Sequence, residues 1–379
     1  MSNAAPLRRN LITPLTLVLG VLTLIGFYFL GVRFIHGMGA TTNLNPGYPL
    51  GLWVVVDVVI GTALGCGGFA MALLVYIFNG RRYHPLIRPA LLGGLFGYTL
   101  AGFAVIFDLG RYWHFYNILL PWHMNLNSVL LEVALCVMAY VMVLWIEFSP
   151  AFFERFGLTG IRRALARWMF VFVALGVLLP MMHQSSLGSM VLVMNDRLSP
   201  LWHTLWLPAL FVTSALNIGY AVVMFEATVV SNSFKLPSEH ALLSKISIIV
   251  GWIALGWLVL RFYDLYSRNA LSLAMDGSLR ASLFWIENIL ALFAVVVFVF
   301  PFGRASQRLS FLGAVAVLGS GILYRFDAFM IGYKPISNWN YFPSLPELMV
   351  TIGVISLEVL LYLIFIKTLP VLHGEAAHR

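Results

Sequence analysis

Ten apolar runs punctuate this 379-residue chain, and each approaches or exceeds the roughly 20 residues a helix needs to cross a bilayer. They lie near 11–36, 49–78, 87–112, 126–148, 166–184, 202–230, 243–266, 281–301, 308–330 and 344–369. Hydrocarbon offers no partner to a backbone N–H or C=O, so every run that spans it must be helical. Composition agrees: only 10% of the residues are charged, against about 25% in an ordinary soluble domain. The expected fold is all-α, a polytopic membrane protein of about ten transmembrane helices.

The net charge of +8 does not signal nucleic acid, because the basic residues sit in short loops between the runs. Suppose the N-terminus is cytoplasmic. The inner segments then hold Arg8, Arg9, Arg81, Arg82, Arg88, Arg155, Arg162, Arg163, Arg167, Lys235, Lys245, Arg304, Arg308, Lys367 and Arg379, most of the 23 Lys and Arg. This is the positive-inside pattern. It places the chain in a bacterial inner membrane, surrounded by lipid, with both termini cytoplasmic. The run after Arg8 and Arg9 is too long for a signal-peptide core and reads as a retained first helix. The outer loops are rich in Trp, Tyr and Pro, as interfacial belts are.

Cysteine and histidine limit the cofactors. Cys66 and Cys136 both fall in apolar runs, and without a thiolate cluster the chain is not expected to hold an iron–sulfur cluster or a Cys-ligated zinc. The histidines are His36, His84, His114, His123, His183, His203, His240, His373 and His378. None is placed in mid-span by the predicted boundaries, with His183 closing the fifth run. A b-type haem needs axial ligands facing each other between helices, so no haem is expected, and no metal site.

A weak internal repeat organises the runs. Asp108-Leu-Gly-Arg111 ends the third, and Glu132 follows inside Ser128-Val-Leu-Leu-Glu132. Asp264-Leu-Tyr-Ser-Arg268 ends the seventh, and Glu287 follows inside Ser282-Leu-Phe-Trp-Ile-Glu287. The spacing suggests two related four-helix bundles, spans 2–5 and 6–9, with the first and last helices flanking them. The expected units are 1–48, 49–199, 200–335 and 336–379, with the site in 49–199. Gly65-Cys-Gly-Gly68 lies mid-helix, so it is not a dinucleotide loop. Gly61-xxx-Gly65 and Gly93-xxx-Gly97 read as close helix packing.

An ionisable group at the bilayer centre costs about 2.5–3.5 kcal/mol on insertion scales, which makes each one a site hypothesis. Asp57, Asp108, Glu132 and His183 come from four runs and are expected to converge in the outer half of the first bundle. Glu132 follows the capping sequence Asn125-Leu-Asn-Ser128 and sits in an apolar stretch, as a proton exchanger would. Pro180 is expected to kink or end the fifth helix. His183, Gln184, Ser185 and Ser186 then offer hydrogen-bonding groups. A quinone asks for such a set: donors to its carbonyl oxygens, a proton donor and apolar walls. Arg88, Tyr98, Glu147 and Glu226, toward the inner side, read either as anchors or as a proton route. In the second bundle Arg261, Asp264, Glu287, Arg325 and Asp327 read as a structural network at the outer face.

Five stretches carry a family resemblance: Tyr83-His-Pro-Leu-Ile-Arg-Pro-Ala-Leu-Leu92, Phe96-Gly-Tyr-Thr99, Asp108-Leu-Gly-Arg-Tyr-Trp113, Asn125-Leu-Asn-Ser-Val-Leu-Leu-Glu132 and His183-Gln-Ser-Ser-Leu-Gly-Ser189. Over nearly its whole length the chain resembles the NrfD/PsrC family of polytopic subunits, and most of all its ten-helix, HybB-type branch that serves periplasm-facing nickel–iron hydrogenases. The resemblance implies a haem-free subunit. It would pass electrons from a periplasmic, ferredoxin-like iron–sulfur subunit, docked to hydrogenase large and small subunits, to menaquinone or ubiquinone. It also implies functional positions at Asp57, Arg88, Tyr98, Asp108, Glu132, His183 and Glu226. Catalysis would fall to Glu132, His183 and Asp57, and quinone binding to these with Asp108, Arg111, Gln184 and Ser185. A molybdenum or multihaem partner would fit the same chemistry. A secondary transporter is the alternative from another class.

Overall fold

A computed structural model describes residues 4–7, 9–48, 50–335 and 339–373. Arg8 and Arg379, assigned above to the cytoplasmic face, and His378 lie outside the described residues, as do Pro49 and 336–338. Ten helices have the length and apolarity to span a membrane: α1 (Pro14–His36), α2 (Val54–Ile77), α3 (Arg81–Asp108), α4 (Val129–Arg155), α5 (Met169–Val193), α6 (Leu207–Phe234), α7 (His240–Ser267), α8 (Leu279–Val299), α9 (Gln307–Ile331) and α10 (Leu345–Thr368). Several start on a side-chain cap that satisfies an otherwise unpaired first-turn N–H. Ser128 accepts from Leu131, Ser278 from Ala281 and Ser306 from Leu309. At α10, Ser344 and Glu347 cap each other's backbone N–H reciprocally.

Helices α2–α5 pack as one bundle and α6–α9 as another, joined where α6 lies against α2 and α5 and where α9 meets the start of α2. Helix α1 packs on α10, which also rests on α3. The α1–α10 seam closes on glycine: a Cβ on Gly26 would stand 2.8 Å from the Gly353 Cα. Small residues allow such approach where lipid supplies no hydrophobic drive between helices. The two ends of the chain meet, with Ala4–Ala5 paired antiparallel to Leu372–His373. Their side is called the terminal side below, and the other the opposite side.

Two helices are irregular. Helix α2 is π-helical over Val54–Ile60 and again over Leu73–Ile77, with its regular turns interrupted at Gly65–Cys66. Helix α9 ends in a π-helical turn, Asp327–Ile331. Such turns are rare and gather at functional sites.

One sequence expectation fails here. Pro180 does not end α5, because the helix runs on to Val193. Proline removes one backbone hydrogen bond, and inside a bundle neighbouring helices and side chains absorb the loss. His183 is therefore in the interior of a span, contrary to the expectation that no histidine would be.

Candidate functional site

His183 is fully buried, and three helices fix its ring. On α5 its Nδ1 lies 3.1 Å from the Leu179 carbonyl, which acts as acceptor and so puts the ring hydrogen on Nδ1. Nε2 is left as an acceptor. Tyr98 on α3 presents its hydroxyl at 3.0 Å from Nε2, and the Gln184 amide nitrogen also lies 3.0 Å away. That amide donates as well to the Thr62 hydroxyl on α2, at 3.1 Å, and Thr62 donates to the Val58 carbonyl at 2.6 Å. Cys66 Sγ is 3.3 Å from the Tyr98 hydroxyl. The Tyr140 ring closes the other side, edge to face with Tyr98 at 4.5 Å between centroids. The result is a neutral chain of exchangeable hydrogens in an apolar wall. Such a chain can pass a proton between Tyr98, His183 and a third group without creating a lasting buried charge. Gln184 Oε1 finds no protein partner, so one acceptor of the set stays open.

Glycine makes the room. A Cβ on Gly65 would stand 2.7 Å from the Tyr98 ring, one on Gly93 2.7 Å from Glu226 Oε1, and one on Gly97 3.1 Å from Glu358 Oε1. The glycine spacings read from the sequence as helix contacts thus also seat a tyrosine and two carboxyl groups. Backbone contact proper falls at Gly94, where a Cβ would meet the Gly65 carbonyl at 2.7 Å.

The predicted residues divide into three groups. His183, Gln184 and Tyr98 form the buried cluster. Asp57 and Asp108 stand nearer the opposite side, each with a buried carboxylate oxygen that lacks a hydrogen-bond partner. They lie within electrostatic reach of one another, and Asp108 also of Glu347 and Arg33. Glu132 and Arg111 are exposed. Neither Asp57 nor Glu132 hydrogen-bonds to His183, so the three do not meet in direct contact. Glu132 is in the first turn of α4, where it is exposed while Val133, Cys136 and Val137 are buried. Ser185 is half-buried, one position off the face that carries His183 and Gln184.

Toward the terminal side, Arg88 is an anchor. Its guanidinium grips Glu154 at 2.7 and 2.8 Å and the Pro370 carbonyl at 2.8 Å. Glu147 lies against Gly176 and Glu226 against Gly93. Glu226 also lines a small cavity with Glu239 and Tyr362, and burial raises the Glu239 carboxyl above its ordinary range. On the opposite side a larger cavity of about 360 Å³ opens among Leu50, Val193, Met194, Arg197, Phe329 and Tyr333.

Several residues escaped the sequence reading. Glu358, in the middle of α10, is in electrostatic reach of both Asp57 and Glu226; an ionisable residue inside the last apolar run was the available signal. Thr62 and Cys66 carried none, because they look like ordinary small residues. Arg325 was assigned to an outer-face network of the second bundle. It is instead completely buried and reaches into the first, donating to the Val59 carbonyl at 3.2 Å and to the Phe211 carbonyl at 2.9 Å.

Fold and cluster together define a ten-span membrane protein with a buried polar site in its first bundle. The polysulphide reductase NrfD family matches residues 41–336, and the chain belongs to that family. It is 38% identical to the probable Ni/Fe-hydrogenase 2 b-type cytochrome subunit of Escherichia coli (strain K12), over 97% of this chain and 94% of that protein. It is 26% identical to the menaquinone reductase integral membrane subunit of Nitratidesulfovibrio vulgaris, over 90% and 87% of the two chains. It is 22% identical to one of the selenate reductase subunits of Mesobacillus selenatarsenatis, over 94% of each.

A b-type cytochrome carries haem, which can be tested against His183. Both its ring nitrogens are engaged, and its ring packs edge to face on Tyr98 at 5.3 Å. His36, His84, His114 and His123 are exposed at helix ends or in loops. These residues do not fit a haem held between two axial histidines.

Proposed function

We propose that this chain is the quinone-reactive membrane subunit of a bacterial respiratory oxidoreductase, working in the inner membrane with both termini cytoplasmic. On this reading the opposite side faces the periplasm, and the first bundle, within 49–199, carries the site. Electrons arrive from a periplasmic iron–sulfur subunit of a nickel–iron hydrogenase, and menaquinone or ubiquinone receives two electrons and two protons to become the quinol. The partner assignment rests on the similarity to the hydrogenase subunit along nearly the whole of both chains. The quinone assignment draws support from the menaquinone reductase subunit.

The observation that carries the reading is the buried contact between the Tyr98 hydroxyl and His183 Nε2. A quinone oxygen that gains electron density needs a proton donor within hydrogen-bond reach. Tyr98 gives a proton and His183 holds the hydroxyl in line. Gln184 positions the imidazole from the neighbouring residue. Asp57 and Asp108, with unpartnered oxygens, would give the second proton to the quinone or restore the one Tyr98 has given. Glu132 and Arg111, exposed at the same end, would meet the headgroup as it approaches from lipid. Glu147, Glu226 and Glu358 would resupply protons from the cytoplasmic side, with Arg88 holding the helix that carries Tyr98.

The test is a purified complex assayed with a soluble quinone and, separately, with a dye that accepts electrons at the partner subunit. Tyr98→Phe and His183→Ala should each lower quinone reduction by about 10²-fold or more, the range for a lost proton donor, with dye reduction intact. Wild-type quinone rates in both variants would remove the site. Co-purification with a molybdenum or multihaem module, and no hydrogenase, would reassign the partner.

A further inference from the structure

The second bundle buries a group of charges that the proposed quinone chemistry does not use. Arg261 on α7 pairs with Glu287 on α8, the two side chains being 3% and 0% exposed. Asp327 opens the π-helical turn of α9 and is also 0% exposed. It lies within electrostatic reach of Arg261 and close to Glu287. The rings of Trp257, Phe284 and Tyr324 surround the guanidinium with centroids at 5.0, 5.0 and 4.7 Å.

The charges in this group do not balance. One guanidinium faces two carboxyl groups, and the other cations nearby are committed. Arg268 holds Asp264 at 2.5 and 2.9 Å, and Arg325 points instead to the Val59 and Phe211 carbonyls and to Ser214, with Arg261 the cation in electrostatic reach of Glu287 and Asp327. An uncompensated charge in a span is among the most expensive things a membrane protein can bury. Two neighbouring carboxyl groups, moreover, can bond each other only if one holds a proton.

A set of unpartnered polar atoms is a separate observation. Polar atoms buried in proteins are nearly always paired, with protein or ordered water. Here Arg261 Nη1, Glu287 Oε2, both Asp327 carboxylate oxygens, the Tyr324 hydroxyl and Trp257 Nε1 are buried with no hydrogen-bond partner in the protein. About one helical turn away, past Trp257, a cavity of about 20 Å³ is lined by Trp257, Ser214, Asn217 and Ser320, among others, and by none of Arg261, Glu287 and Asp327. That is room for one water, with the polar partners a water requires.

We propose that Glu287 and Asp327 share a single proton beside Arg261, making this group a proton-holding site of the second bundle. Loading it forms one O–H bond on a carboxylate oxygen as a hydronium ion gives up a proton, and nothing is oxidised or reduced. The other ionisable groups near this end of the helices that hold the trio are Asp264 and Arg268 on α7, Arg280 on α8, whose guanidinium donates to the Ile331 carbonyl at 2.9 Å, and Tyr324 and Arg325 on α9. Helix α2, also packed on α9, brings Asp57, whose electrostatic neighbours are Asp108 and Glu358. The site stands whether or not the first bundle binds a quinone.

Infrared difference spectroscopy on the full-length protein, with whatever subunits co-purify, tests this directly. The spectrum of the wild type minus that of Asp327→Asn should contain the carbonyl stretch of one protonated carboxylic acid, and the band should shift in D₂O. Glu287→Gln should remove the same band, since one remaining carboxylate then balances Arg261. It is also the second chance should Asp327→Asn fail to fold. A difference spectrum with no carboxylic-acid band, or a band indifferent to D₂O, overturns the site.

Discussion

Both bundles bury polar side chains at comparable depth, yet they solve the problem in opposite ways. The first bundle keeps its core cluster neutral: Tyr98, His183, Gln184, Thr62 and Cys66 exchange hydrogen bonds without an ion pair. The second keeps charge and compensates it, with Arg261 against Glu287 under three aromatic rings. A neutral chain can hand a proton along because no member is locked by an opposite charge. A compensated group holds its charges in place and so orders the helices around it. The helices match these roles. The first-bundle cluster hangs on α2, the least regular span, whereas Arg261 and Glu287 sit on uninterrupted helices.

Substitutions can break or sharpen that contrast. The largest stability loss should follow Arg261→Met, which strands Glu287 and Asp327 with no cation. Breaking a buried pair costs about 3–5 kcal/mol, to be read from the unfolding midpoint of the purified chain, while Tyr98→Phe, within the neutral cluster, should cost about 1 kcal/mol. Equal losses would show that the two sites do not differ in kind. Next comes Gly65→Ala, whose new methyl group would meet the Tyr98 ring at 2.7 Å. Overpacking of this sort costs about 1–3 kcal/mol, and the proposed quinone activity should fall with it, because Tyr98 must move from His183. Gly256→Ala, with nothing within 4 Å of its Cβ, is the matched control and should leave that activity unchanged. The smallest effect belongs to Glu132→Gln. An exposed position away from packing changes stability by no more than about 0.5 kcal/mol. The same variant should slow quinone reduction less than His183→Ala does, and a larger loss than His183→Ala would return Glu132 to the centre of the site.

Much of this was legible in the chain itself. Ten apolar runs gave ten spans because the bilayer admits few other solutions to backbone hydrogen bonding. The capping serines before α4, α8 and α9 are where helix starts require them. His183, Gln184 and Tyr98 stood out because a polar group costs more inside an apolar run than outside it. Glu132 stood out for the same reason and is exposed, since hydropathy marks depth along the helix and says nothing about which way a side chain faces. Pro180 does not end its helix: its missing N–H stops a helix only if no neighbouring helix or side chain relieves the loss.

The sequence by itself therefore determined the membrane setting, the number of spans and the approximate depth of many ionisable residues, because these depend on transfer from water and on helix rise alone. Only the tertiary structure decided azimuth and partnership. It turned Glu132 outward, joined Tyr98 to His183 across two helices, sent Arg325 from the second bundle into the first and placed Asp327 beside a pair that already had its cation. Those outcomes follow from how ten helices rotate against one another, and that is set by contacts between residues far apart in the chain.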